Sequence, residues 1–162
     1  MKRINYLSWN DFFMATAKLA AMRSKDPSTQ VGACIVNSKN RIISLGYNGM
    51  PNGCSDDEMP WEREGTTCDT KYAYVVHSET NAIMNCLDFK ELNGSVIYCT
   101  LFPCNECAKL IVQSGIKKIY YLDDKYHDNE YYMCGRKLLD VAGVSYEKFV
   151  PEVLEIKLDL KE

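Results

Sequence analysis

Two short stretches of the sequence carry residues that could bind a metal and move protons. Cys104 and Cys107 stand three positions apart behind Pro103, at the start of a segment with helical patterning. Side chains at i and i+3 share a helix face. The positive end of a helix also lowers a cysteine pKa and favours thiolate. The pair could be a disulfide, a redox pair, a metal clip or two buried thiols. Two thiolates are two zinc ligands, and a catalytic zinc takes three protein ligands and leaves a fourth position for water. The chain has two histidines, His77 and His127. His77 opens a second predicted helix and is followed two residues later by Glu79. A structural zinc would be closed by four protein ligands, and no second Cys-x-x-Cys exists to close it. His77, Cys104 and Cys107 are therefore the expected ligands of a catalytic zinc, with Glu79 as the proton carrier.

Together these residues read His-x-Glu, then Pro-Cys-x-x-Cys, the pattern described for zinc deaminases. The chemistry accounts for the residue types. Two thiolates and one imidazole leave zinc with no net charge, yet it still lowers the pKa of a water in the fourth position. Amidine hydrolysis needs a deprotonated nucleophile, protonation of the ring nitrogen and protonation of the amino group that departs as ammonia. One carboxylate beside the metal can serve all three transfers.

The remaining elements must position these groups. Ser8 is placed to cap a first helix running to about Arg23, with Asp11 at the capping-box position and Leu7 and Phe12 as a hydrophobic staple. Trp9, Phe12, Phe13, Thr16 and Ala20 fall roughly on one face. Residues 31–36 and 41–47 read as strands of a hairpin. Residues 77–89 read as helix, 95–100 as strand, 104–114 as a helix closed by Gly115, and 117–122 as strand. Residues 129–142 read as a helix closed by Gly143 and weakened by Gly135, and 144–150 as the last strand. A hairpin followed by alternating helices and strands implies a mixed sheet covered by helices, an α/β layered fold. Residues 48–76 are rich in acids, glycine and proline, without a sustained period. A loop of that length is more often functional than idle.

Composition narrows the class. The 162 residues suit one domain (1–162), with a core of about 7–150 and a tail of 151–162. The chain is 46% hydrophobic and 25% charged, which allows a sizeable core. A net charge of -3 argues against a nucleic-acid surface, although a small anion needs only a few local donors. The N-terminal stretch reads as neither signal peptide nor membrane span. Eight cysteines point to a reducing cytoplasm, where clustered cysteines more often mean metal than disulfide.

The resemblance extends past the zinc residues. The stretches 23–36, 46–57, 101–121, 124–128 and 138–146 are similar to the deoxycytidylate deaminases, over about Leu7 to Val150. Ser78 departs from them, standing where the family usually has alanine. The resemblance implies a cytidine deaminase-like three-layer α/β/α sandwich with a mixed central sheet. It implies zinc-dependent hydrolysis of dCMP to dUMP and ammonia, supplying dUMP for thymidylate synthesis. It carries over His77, Cys104 and Cys107 as ligands of one zinc, Glu79 as proton carrier, Asn48 as a deoxyribose contact and Tyr126 as a phosphate-side residue. Arg23 and Ser24, at the end of the first helix, are candidate phosphate donors, Arg23 as a guanidinium fork. A solvated helix end would also be basic, Asn48 would also suit a left-handed turn, and Tyr126 could be an ordinary loop tyrosine. His127 is expected to order its loop.

Family members activated by dCTP and inhibited by dTTP suggest an effector site around Gly46, Tyr47, Gly49, Asn52, Asp56 and Asp57. The two acids would read an exocyclic amine or order Mg²⁺. The regulated members are homo-oligomers, commonly hexamers. Cys54 and Cys68 could hold a second zinc but read as free thiols. Cys34, Cys86, Cys99 and Cys134 read as small buried hydrophobes. The competing functions are a deaminase of another nucleoside or base, and a non-catalytic zinc-containing nucleotide-binding module.

Overall fold

The computed structural model describes residues 1–161. The elements follow the expected order: α1 (Trp9–Ala21), β1 (Gly32–Val36), β2 (Ile42–Tyr47), α2 (Ser78–Met84), β3 (Val96–Leu101), α3 (Asn105–Ser114), β4 (Lys118–Asp123), α4 (Glu130–Ala142) and β5 (Ser145–Lys148). The strands form one mixed sheet in the order β2-β1-β3-β4-β5. Strand β1 runs antiparallel to both β2 and β3, whereas β3, at the centre, β4 and β5 are mutually parallel. Alternation along the strands feeds two cores. Ala33, Ile35, Ile97 and Cys99 meet Ala82 of α2, Ala108 and Ile111 of α3 and Leu139 of α4 on one face. Cys34, Val36 and Tyr98 meet Phe13, Met14 and Ala17 of α1 on the other. This is the three-layer α/β/α sandwich. Among the described residues, no helix is long and apolar enough to cross a membrane.

Local details depart from the sequence expectations. On α1 the buried stripe is Phe13, Met14, Ala17 and Ala21, while Trp9 and Phe12 face outward. The capping box is not reciprocal. Ser8 Oγ accepts from the Asp11 N–H at 3.1 Å and donates to Asp11 Oδ2 at 2.8 Å, while Asp11 Oδ1 accepts from the Glu152 N–H at 3.1 Å. The tail thus takes the oxygen that would have reached back to the cap. The helix expected over 77–89 stops at Met84. Asp88 there caps a separate 3-10 turn, Phe89–Leu92, which sends Leu92 into the core. Cys134 is exposed, not buried. Gly135 lies against the start of α3, and a Cβ on it would come within 3.3 Å of the Cys104–Asn105 backbone. The glycine that weakens the helix therefore lets it close against the turn that carries Cys104.

Candidate active site and metal centre

His77 is the N-cap residue of α2 and Cys104 the N-cap residue of α3. Both have extended backbones and neither spends its side chain on capping. The two side chains are thus free to point away from their helices toward each other, and Cys107 joins them from the first turn of α3. His77 Nδ1 lies 3.4 Å from the Sγ of Cys104 and 3.4 Å from that of Cys107. All three ligand atoms fall within 4.8 Å of one another. Tetrahedral zinc with ordinary Zn–S and Zn–N bonds places sulfur and nitrogen about 3.6 Å apart, so the trio fits that ion. The donor set fits too, being two soft sulfurs and one imidazole. Among the described residues, no other such trio of histidine, cysteine or acid is present. Cys54 and Cys68 are free and exposed.

The protonation of the trio also suits a cation. Hydrogen bonding from Cys107 draws the Cys104 thiol down to about 4, with His77 adding to that pull and burial opposing it. The same bond and burial push Cys107 well up. Hydrogen bonding to Cys104 raises His77 to about 9 against its own burial. These groups titrate as one unit. A divalent ion would displace the protons of Cys107 and His77, and these three residues would hold it.

Glu79 sits two residues along from His77, in the first turn of α2, 4% exposed. Burial raises its pKa, while His77 pulls it down. Ser78 Oγ donates to its Oε2 at 3.0 Å. The helix that holds it is clamped from behind. A Cβ on Gly46 of β2 would lie 2.2 Å from the Ser78 carbonyl oxygen and 2.3 Å from the Ala82 nitrogen. Gly46 therefore brings α2 onto the sheet and stands behind the centre.

The centre opens into a cavity of about 420 Å³, within the roughly 300–1,000 Å³ usual for small-molecule sites. Its opposite wall comes from the long loop and from the turn after α1. Asp26 and Lys71 form a buried ion pair there, 3% and 7% exposed, with Lys71 Nζ 2.6 Å from both carboxylate oxygens. Burial raises the Asp26 pKa, but Lys71 and the backbone N–H groups of Ser28 and Thr29 outweigh it and hold it low. Asn48 Oδ1 accepts from the Val31 N–H at 2.8 Å, and its Nδ2 donates to Thr29 O at 3.0 Å and Asp26 Oδ2 at 3.3 Å. Arg63 also lines the cavity, its Nε bonded to Tyr72 Oη at 3.1 Å. Tyr126 and Tyr132 make an aromatic wall, with ring centroids 5.2 Å apart. His127 is exposed and bonds Asp124, which also holds Arg136.

The structure thus brings His77, Glu79, Asn48, Cys104 and Tyr126 around one cavity, with Cys107 closing the ligand set behind it. Arg23 and Ser24 are not among the residues lining it. Arg23 is exposed, and the Ser24 hydroxyl donates to the Asn48 carbonyl at 2.8 Å. The cations that line the cavity are Arg63 and Lys71, neither of which the sequence singled out. Lys71 lies 45 residues from Asp26, and no periodic pattern links the two. Of the residues expected around an effector, Tyr47, Asn52 and Asp57 are exposed, and Asp56 pairs with Lys25. Gly49 pairs with Val76 across the neck of the loop, Gly49 N–H to Val76 O at 3.1 Å and Val76 N–H to Gly49 O at 2.9 Å.

Residues 7–123 match the cytidine and deoxycytidylate deaminase zinc-binding region. The chain is 55% identical to the deoxycytidylate deaminases of Pongo abelii and Homo sapiens, over 98% of its length and 89% of theirs. Its structure is similar to that of the dCMP deaminase from the cyanophage S-TIM5, solved in complex with dCMP and dUMP. The TM-score there is 0.67 at 30% identity, covering 85% of this chain and 94% of that one. The chain belongs to the cytidine and deoxycytidylate deaminase family, among the deoxycytidylate deaminases.

Proposed function

We propose that the chain is a zinc-dependent hydrolase that converts dCMP to dUMP and ammonia. The observation that carries this reading is the meeting of a His-Cys-Cys trio at zinc spacing with a buried carboxylate, in one cavity whose far wall holds Asn48, Arg63 and Lys71. His77, Cys104 and Cys107 would hold the zinc, which would supply a water activated at neutral pH. Glu79 would take one proton of that water and deliver it to the ring nitrogen of the cytosine, then take the other from the hydroxyl added to the ring carbon and pass it to the amino group, which leaves as ammonia. Its burial suits the task, because a carboxyl raised from its ordinary range gives up a proton and takes one back more evenly. Tyr126 and Tyr132 flank the substrate, and Asn48 keeps one Oδ1 lone pair for a sugar hydroxyl. The phosphate meets Arg63, whose outer nitrogens are not spent on Tyr72. Arg23 and Ser24 then act at a distance, Ser24 by holding Asn48.

In the same reading dCTP activates and dTTP inhibits at a site near Gly49, Asn52, Asp56 and Asp57, with Mg²⁺ at the triphosphate. The assembly is a homohexamer in the cytoplasm, and the dUMP feeds thymidylate synthesis. Regulation requires an effector to favour one arrangement of subunits over another.

Ammonia release from dCMP, cytidine, dCTP and guanine, assayed side by side, tests the substrate. Faster turnover of cytidine than of dCMP overturns the nucleotide assignment. Glu79→Gln should lower the rate on the order of 10²–10⁴-fold with zinc content unchanged. Loss of zinc in that variant would make Glu79 a ligand. A hyperbolic rate curve unmoved by dCTP and dTTP removes the regulatory part.

A further inference from the structure

Residues 154–161 read Leu-Glu-Ile-Lys-Leu-Asp-Leu-Lys, apolar and charged in unbroken alternation. That is the period of a strand with one covered face. Yet the segment forms no strand, and most of its apolar side stands in water: Leu154 is 93% exposed, Leu158 67% and Leu160 95%. The edge strand β5 is not its partner. Phe149 turns into the core beneath α1, and the Glu152 N–H is tied to Asp11 at the start of that helix. The chain has thus left the sheet edge before the alternation begins.

The charges say what would pair with it. Glu155, Lys157, Asp159 and Lys161 alternate in sign. Laid antiparallel on a copy of itself and centred on Leu158, the segment sets Glu155 opposite Lys161 and Lys157 opposite Asp159, twice each. Ile156 then faces Leu160, and Leu158 faces its own copy. A parallel in-register pairing would put every charge opposite its like, which is unfavourable. Such self-complementarity is what a two-fold interface requires.

We propose that residues 154–161 pair antiparallel with the same segment of a second copy of this chain, about an axis through Leu158. Two strands alone are marginal in water. Cover for the apolar face lies where the tail leaves α1, in a hollow lined by Ile4, Tyr6, Trp9, Phe12 and Glu152, the four hydrophobic side chains among them exposed. The pairing does not depend on which substrate the cavity takes.

Cysteine placement tests the register. Leu158→Cys, treated with oxidised glutathione, should yield two chains joined through position 158, identified by peptide mapping because the chain has eight native cysteines. Leu154→Cys should not join, since antiparallel pairing holds its two copies on the order of 27 Å apart. Lys157→Asp sets like charges opposite each other at two pairs and should slow joining at position 158 roughly tenfold. Adding Asp159→Lys should restore it. Zinc content and thermal midpoint report that each variant is folded. Joining absent at 158, joining equally fast at 154, or a charge reversal without effect or without rescue overturns the pairing.

Discussion

The two walls of the cavity are built on opposite plans. The candidate metal wall takes each of its three side chains from a helix start, His77 from α2 and Cys104 with Cys107 from α3, so spacing within a turn sets the geometry. The loop wall is assembled from residues far apart in sequence, with Asp26 gathering Lys71, Asn48 and the N–H groups of Ser28 and Thr29 around one carboxylate. One wall is organised by secondary structure and the other by a buried charge. The first should therefore survive changes in the loop, and the second should fail as a unit.

Breaking the ion pair is the strongest test of that contrast. Lys71→Met leaves Asp26 buried without its counter-ion and should cost about 3–5 kcal/mol. Thermal unfolding should show a midpoint lowered by several degrees, with zinc still bound at stoichiometric level below it. Adding Asp26→Asn should recover most of the loss. Zinc lost along with stability in the single variant would mean that the two walls are not separable.

A smaller effect should follow from Arg63→Gln. Removing a charged donor is worth about 1.5–3 kcal/mol, so KM for dCMP should rise roughly 10- to 100-fold while turnover of cytidine stays as it was. An equal loss on both substrates would move Arg63 from phosphate contact to loop support.

The acid limb should be the mildest signature. The Asp26 pKa is held below its ordinary value in the fold, so its contribution is fully present above the unfolded pKa of about 3.9 and is lost as pH falls through the folded one. Urea midpoints measured from pH 5 downward should fall less steeply in Asp26→Asn/Lys71→Met than in the parent. Parallel slopes would place the acid sensitivity elsewhere.

The same contrast decides what could be seen in the sequence. His77, Glu79, Cys104 and Cys107 are legible because helix starts impose short spacings, and the alternation of strands and helices carries the sheet with them. Arg23 looked like a phosphate donor because it stands at a helix end beside the turn that supplies Asp26, but it is exposed and outside the cavity. Lys71 lies in a run of mixed polar and aromatic residues that resembles ordinary loop. Nothing local marks it as buried, because its burial depends on a carboxylate 45 residues away. Cys134 misled for a simpler reason. The α4 face turned toward the protein at that turn belongs to Gly135, which leaves its neighbour outside.

The paired backbones of Gly49 and Val76 close the loop at its neck. Asn48 precedes one half of this clasp and His77 follows the other, so the path between these two residues is a single pair of hydrogen bonds, not the length of the loop. The spacing of Asn48 and His77 is thereby independent of the loop's length. Residues added or removed around Asn52 to Met59 leave that spacing in place, at an entropic cost that grows slowly with the size of the ring. A family could lengthen, shorten or recompose that ring while the distance from His77 to its cysteines stays fixed.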